Sequence, residues 1–222
     1  MTTIHYRKML WYLVGWLLLG CAVALPFFLS IDRNAQLKKT LMRPDGVILK
    51  ALFTPYDAIK ETLIMLIEHE QESIQMMAYL LSDKHIARAL QDAAINHKIN
   101  VTIIVDYQTA TNEKFNHGLR ALSHHVNMRI FQPLQDGIMH NKFIIFGSNI
   151  DQKPLVWTGS FNYTSRAQYK NMENVVISND AQVIAQYRDA FTKLLAFTLP
   201  SEQVLTYRAM KVSTVLQPAI AG

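Results

Sequence analysis

The stretch from Gly46 to Phe131 constrains the fold most, because its apolar residues switch repeatedly between a period near two and a period near 3.6. Ile74, Met76, Ala78 and Leu80 alternate, as a strand over Ser73 to Leu81 requires. Ile59, Leu63, Leu66 and Ile67 before it, and Ile86, Ala89, Leu90, Ala93 and Ala94 after it, keep helical spacing. Ser82-Asp83 offers a cap for the second of these helices. Val101, Ile103, Ile104 and Val105 form a short β-branched run of the kind buried strands use. A strand over Gly46 to Phe53, a helix from about Glu113 to His124 and a strand from Val126 to Phe131 complete the alternation. The pattern predicts an α/β domain, a layered mixed and largely parallel β-sheet flanked by helices. Right-handed crossovers would bring the strand ends to one active edge.

After Pro133 the strands come closer together, at Lys142 to Phe146, Leu155 to Thr158 and Asn174 to Ser178. A last helix from Asp180 to about Phe197 places Val183, Ile184, Tyr187, Phe191, Leu194 and Leu195 on one stripe. At the other end, Met9 to Leu29 are 21 positions without a charge. A helix needs about 20 apolar residues to cross a bilayer, so an N-terminal hydrophobic helix serving as a membrane anchor is expected here. Ala22-Val23-Ala24 offers a signal-cleavage alternative that would leave the domain exported, and Leu18-Leu19-Gly20-Cys21 loosely resembles a lipoprotein box. The expected organisation is an anchor or signal segment over 1–31, a linker over 32–44, a folded domain over 45–198 and a tail over 199–222.

Half of the residues are apolar and a tenth aromatic, which excludes a disordered chain. The lone Cys21 lies in the apolar run, so the folded domain has no disulfide, catalytic thiol or cysteine metal site. A formal charge of +5 permits nucleic acid or anionic lipid as a partner without demanding either.

Against that background, the segment from His140 to Asn174 carries the chemistry. His140 and Lys142 are separated by one residue and lead into an apolar run, so in a strand both would project from one face. Gly159-Ser160-Phe161-Asn162 follows a second apolar run and offers backbone N–H groups, a hydroxyl and an amide to a phosphate oxygen. Asp106-Tyr107 closes a buried strand on the expected active edge and is a candidate for substrate contact.

The run His140-x-Lys142, Gly159-Ser160-x-Asn162 and Glu173-Asn174 resembles the phospholipase D superfamily, in particular its short branch with one His-Lys motif per chain. Small bacterial endonucleases and mitochondrial-surface phosphodiesterases belong to that branch. Ile74 to Tyr79, Val101 to Asp106 and Gly159 to Tyr163 sit in the family's order, so the resemblance covers about residues 45–198. It implies catalysis by His140, Lys142 and Glu173, with Lys142, Ser160 and Asn162 binding the substrate phosphate and no metal or cofactor. Because one motif supplies a nucleophile or an acid but not both, it also implies a homodimer with a composite site. Glu173 is expected to hold the far nitrogen of the imidazole. One position departs from the family motif: Gly147 stands where the motif has Asp. The resemblance and the basic balance favour a nuclease acting on DNA or RNA through a phosphohistidine intermediate, with a phospholipid phosphodiesterase held near its substrate by membrane association, or a catalytically silent polyanion-binding protein, as the alternatives.

Overall fold

The computed structural model describes residues 33–112, 117–122, 125–133 and 137–202. The apolar run from Met9 to Leu29 and the tail after residue 202 lie outside the described residues. Among the described residues no helix is long and apolar enough to cross a membrane. For the described residues that finding corrects the membrane-anchored location expected from the sequence, since no helix among them combines the necessary length with an apolar surface, while the exported alternative rests on residues outside them.

A helix over 33–41 (α1) precedes β1 (Leu49–Phe53), α2 (Ile59–His69), β2 (Ser73–Ala78), α3 (Lys84–Ile95), β3 (Asn100–Asp106), α4 (Tyr107–Thr111), α5 (His117–Arg120) and β4 (Asn127–Phe131). β5 (Lys142–Phe146), β6 (Leu155–Gly159), α6 (Ser165–Tyr169), β7 (Asn174–Ser178), α7 (Ala181–Leu195) and β8 (Thr198–Pro200) follow. The strands form one sheet in the order β1-β7-β6-β5-β2-β3-β4-β8.

The sheet is mixed and flanked by helices, as the alternation predicts, but it is mostly antiparallel. Only β2 with β3 and β3 with β4 run parallel. The other neighbours are antiparallel. Parallel pairing needs a crossover of a dozen or more residues, usually a helix long enough to span the sheet. The β2-α3-β3 unit has one; the 147–154 connection and the five-residue α6 do not. The helix expected from Glu113 to His124 is replaced, among the described residues, by α4, which starts directly on the Asp106 cap, and by the single turn of α5.

Both faces of the sheet are apolar. Ile74, Met76 and Ala78 of β2, with Ile144 and Phe146 of β5, pack into the larger core together with Leu37, Leu63, Leu66 and Leu90 from the helices. The alternate residues Met77, Phe143 and Ile145 turn to the other face, where Ile184 and Phe191 of α7 cover them. Met76-Met77 is therefore core on two sides. A five-residue strand with every position buried, as in β5, reads as a continuous apolar run for this reason.

The turn after β5 explains Gly147. A Cβ at that position would collide with the Ser73 Oγ and lie 3.2 Å from the Ser73 N, so a side chain there requires the Ser73 hydroxyl to turn away. The carboxylate at this turn comes instead from Glu70, at the end of α2. Glu70 accepts from the Ser148 N–H at 2.7 Å, the Ser73 N–H at 3.0 Å, the Glu72 N–H at 3.1 Å and Asn149 Nδ2 at 3.0 Å. Burial pushes its pKa up against the pull of those donors.

A second buried acid fixes the β2-α3 connection. Asp83 caps α3 through the His85 and Ile86 N–H groups, accepts the Ser165 hydroxyl at 2.6 Å and lies 3.8 Å from Lys60 Nζ. Burial alone would raise its pKa; the Ser165 hydroxyl, the two N–H groups and the Lys60 ammonium outweigh burial and hold it below its ordinary 3.8.

Two outcomes follow from these acids and turns. Gly147→Asp, which restores the family motif, should destabilise the fold by about 1–3 kcal/mol in urea unfolding through overpacking, and Ser73→Gly should recover part of that loss. For Asp83, a depressed folded pKa contributes stability above the unfolded value that disappears as pH falls through the folded one. Asp83→Asn should therefore be less stable than wild type at pH 7, yet lose less stability on acidification below about pH 4. Parallel acid curves for the two proteins would contradict this role.

Candidate active site

Register brings four strand ends to one edge of the sheet. Ala78, the last residue of β2, pairs with Lys142, the first of β5. Phe143 pairs with Thr158, and Gly159, the last residue of β6, pairs with Val175 near the start of β7. Tyr79, His140 with Lys142, Ser160 and Glu173 therefore all leave the sheet at the same edge. Gly159 is required there, because a Cβ would run into the Asn174 carbonyl of the neighbouring strand.

His140 is exposed, and its ring lies 4.5 Å from the Tyr79 ring at a tilt of 59°. Lys142 is buried to 7% exposure. Its ammonium donates to the His140 carbonyl at 2.7 Å and sits 5.1 Å from the Tyr79 ring centre, within cation–π range. His140 and Lys142 thus both lie against the Tyr79 ring, with His140 ahead of the strand that Lys142 begins. Burial pulls the Lys142 pKa down, and the Glu173 carboxylate opposes that shift.

Glu173 and Ser160 are joined directly. The Ser160 hydroxyl donates to Glu173 Oε2 at 2.5 Å, and Asn171 Nδ2 donates to Oε1 at 2.9 Å. Ser160 Oγ also accepts the Asn174 N–H at 3.1 Å. The contacts of Glu173 in the single chain are therefore to Ser160 and Asn171, and its proximity to Lys142 is electrostatic. Asn162 lies two residues further along the same turn, with its Oδ1 buried and without a hydrogen-bond partner. The turn is docked onto the β2-α3 connection: the Tyr163 carbonyl accepts the Ser82 and Asp83 N–H groups at 3.0 and 3.1 Å, and the Tyr163 N–H donates to Leu80 at 3.0 Å.

One site residue escapes the sequence reading and another takes a different role. Tyr79 was legible only as part of a strand, although its position at a β2 terminus with polar chemistry on neighbouring strand ends was the available signal. Asp106 is fully buried and faces inward, so it cannot meet substrate as expected. It caps α4 and reaches the segment ahead of His140.

Comparison with known proteins identifies the family in which this fold occurs. A family model described as "Cardiolipin synthase, PLD-like domain" matches residues 63–195. A Rickettsia bellii protein named phospholipase D is 36% identical over 137 residues, covering 61% of this chain and 63% of that protein. The chain thus spans just under two thirds of the length of such relatives. The Xenopus laevis mitochondrial cardiolipin hydrolase is 25% identical over 193 residues, covering 80% of this chain and 86% of its own. In fold, the crystal structure of Nuc from Salmonella typhimurium, a phospholipase D family member, superposes with a TM-score of 0.60 at 23% identity, over 69% of this chain and 97% of Nuc. With the family model spanning more than half of its length, the chain belongs to the phospholipase D superfamily.

Proposed function

We propose that this protein is a metal-independent phosphodiesterase that cleaves nucleic acid through a phosphohistidine intermediate at a site completed by a second copy of the chain. The observation that carries the reading is the single sheet edge where His140, Lys142, Ser160, Asn162 and Glu173 gather. In the scheme, the neutral imidazole of one His140 attacks phosphorus. The ester bond to the leaving oxygen breaks, and the imidazolium of the other His140 gives that oxygen its proton. Water then cleaves the phosphorus–nitrogen bond, with the second imidazole taking the water's proton.

Lys142 neutralises the phosphoryl oxygens, and Ser160 and Asn162 add hydrogen bonds. Glu173 keeps a second lone pair on each carboxylate oxygen beyond those used by Ser160 and Asn171, which leaves room for an imidazole N–H. Exposed Lys84, Arg166 and Lys170 lie on or beside α3 and α6, the helices flanking the Ser160 turn, and favour a polyanionic strand. A phospholipid phosphodiester is the second reading, favoured by the names of the curated relatives, phospholipase D and mitochondrial cardiolipin hydrolase.

The full-length protein, assayed in EDTA on single-stranded and duplex DNA and on RNA, should cleave at an undiminished rate. His140→Ala should lose about 10²–10⁴-fold. Mixing His140→Ala with wild type should lower activity per wild-type chain, since mixed dimers lack one of two unlike roles. Cleavage retained in His140→Ala would overturn the proposal. Headgroup release from phospholipid vesicles, lost in His140→Ala, with nucleic acid left intact would transfer it to the lipid reading. Binding of anionic polymer without turnover of either substrate would identify a silent member.

The Glu173 carboxylate holds up an ammonium that burial depresses, so its loss has a defined sign. Glu173→Gln should let the Lys142 pKa fall further and move the alkaline limb of kcat/KM to lower pH, while Glu173→Asp should keep it nearer wild type. An alkaline limb unmoved in Glu173→Gln would separate Lys142 from that limb.

A further inference from the structure

His140 combines an exposed side chain with a tightly held backbone. On its far side, the Lys142 ammonium donates to the His140 carbonyl at 2.7 Å. On its near side, the Met139 N–H donates to Asp106 Oδ2 at 2.9 Å, across a sequence separation of 33 residues. The Met139 side chain, 3% exposed, is sunk among Met77, Ile104 and Phe143 under α7. The other oxygen of the same carboxylate, Oδ1, accepts the Gln108 N–H at 2.9 Å and the Thr109 N–H at 3.4 Å, capping α4. Asp106 is wholly buried and ends β3, two strands away from β5.

We propose that Asp106 is a positioning residue for His140, holding the reacting imidazole in register with Lys142 through the Met139 N–H. The inference rests on the phosphodiesterase reading for its effect on rate, but the tether itself is a property of the fold. A helix cap requires one oxygen, which Ser, Asn or Asp all provide. Here the second oxygen is committed to a distant backbone N–H beside the proposed nucleophile. A buried acceptor with that single target fixes the chain there more firmly than packing of the flexible Met139 side chain could. Attack on phosphorus depends on reacting atoms held within a few tenths of an ångström, and displacement by about 1 Å can lower a rate by about 100-fold.

Asp106→Asn separates the two jobs. Its amide oxygen can still cap α4, but its NH₂ group then meets the Met139 N–H, donor against donor. Asp106→Ser likewise keeps a capping oxygen and is too short to reach Met139. Asp180→Asn is the control, since Asp180 is an exposed helix cap whose carboxylate accepts the Val183 N–H of its own helix at 2.8 Å.

In the full chain, both Asp106 variants should show amide hydrogen exchange at Met139 and His140 accelerated about tenfold or more, with Gln108 and Thr109 still protected. Their kcat on the substrate identified for wild type should fall by about tenfold or more while KM stays within about twofold. Asp180→Asn should change neither. Unaltered protection at Met139 in both variants would overturn the tether. Protection lost without a fall in kcat would overturn its role in positioning. Should wild type turn over neither nucleic acid nor phospholipid, the phosphodiesterase reading fails by that result, and the exchange comparison alone decides the tether.

Discussion

β5 is the strand on which the rest depends, because it closes the gap between two differently built halves of the sheet. On one side β2, β3 and β4 form a parallel set joined by helical crossovers. On the other, β6 and β7 return by connections that hold no helix long enough to cross the sheet. β5 is antiparallel to both β2 and β6, and all five of its residues are buried. A one-residue slip would exchange the Ile144-Phe146 face with the Phe143-Ile145 face, forcing both apolar layers to repack. The register is therefore set by burial on both faces, and the positions of His140 and Lys142 follow from it.

Placing chemistry at such an edge leaves polar groups against an apolar core, and each is compensated locally. Lys142 is buried, yet it donates to a carbonyl, faces an aromatic ring and feels a carboxylate. Glu70 and Asp106 lie deeper and satisfy N–H groups that would otherwise be stranded at strand and helix ends, a loss of about 1–3 kcal/mol for each unsatisfied group. The same acids join segments remote in sequence. Glu70 links α2 to the turn after β5, and Asp106 links β3 to the segment before it. Both ends of the β5 strand are thus secured by buried carboxylates from other parts of the chain.

Much of this was legible in the residues. Alternation in Ile74 to Ala78, the β-branched run from Val101 to Val105 and the stripe from Val183 to Leu195 correspond to β2, β3 and α7, and Asp83 and Asp180 cap helices as short polar residues before an apolar stripe should. Strand direction was not legible, because period two is the same for parallel and antiparallel strands and only connection length distinguishes them. The three-residue β8, which pairs with β4, is too short to carry a period at all. In the site, the motif residues stand out in sequence because they are polar at strand ends. Tyr79 and Glu70 do not, since a strand tyrosine and an acid after an apolar helix look ordinary until tertiary packing assigns them neighbours, and Asp106 stands out for substrate contact while its burial gives it an inward role. Gly147 reads as a missing acid in sequence and as a close passage of two strands in space.

Charge balance gives the single site an incomplete character. Within one chain the proposed groups carry one ammonium at Lys142 and one carboxylate at Glu173, which cancel, and the Ser160 hydroxyl is already given to that carboxylate. A phosphodiester entering such a site would add a negative charge that these two groups together do not offset. Two copies bring two ammonium and two carboxylate groups, again balanced, but also two imidazoles. If one of these is protonated, as the leaving oxygen requires, the pair gains one positive charge, which matches the single negative charge of a phosphodiester. In one chain, protonating His140 would meet the same charge but remove the nucleophile, so under the proposed function it is the pairing of nucleophile with acid that calls for a second chain. Protonation of both imidazoles would remove the nucleophile, and of neither, the acid, so the state whose charge equals that of the phosphodiester is also the one that can react.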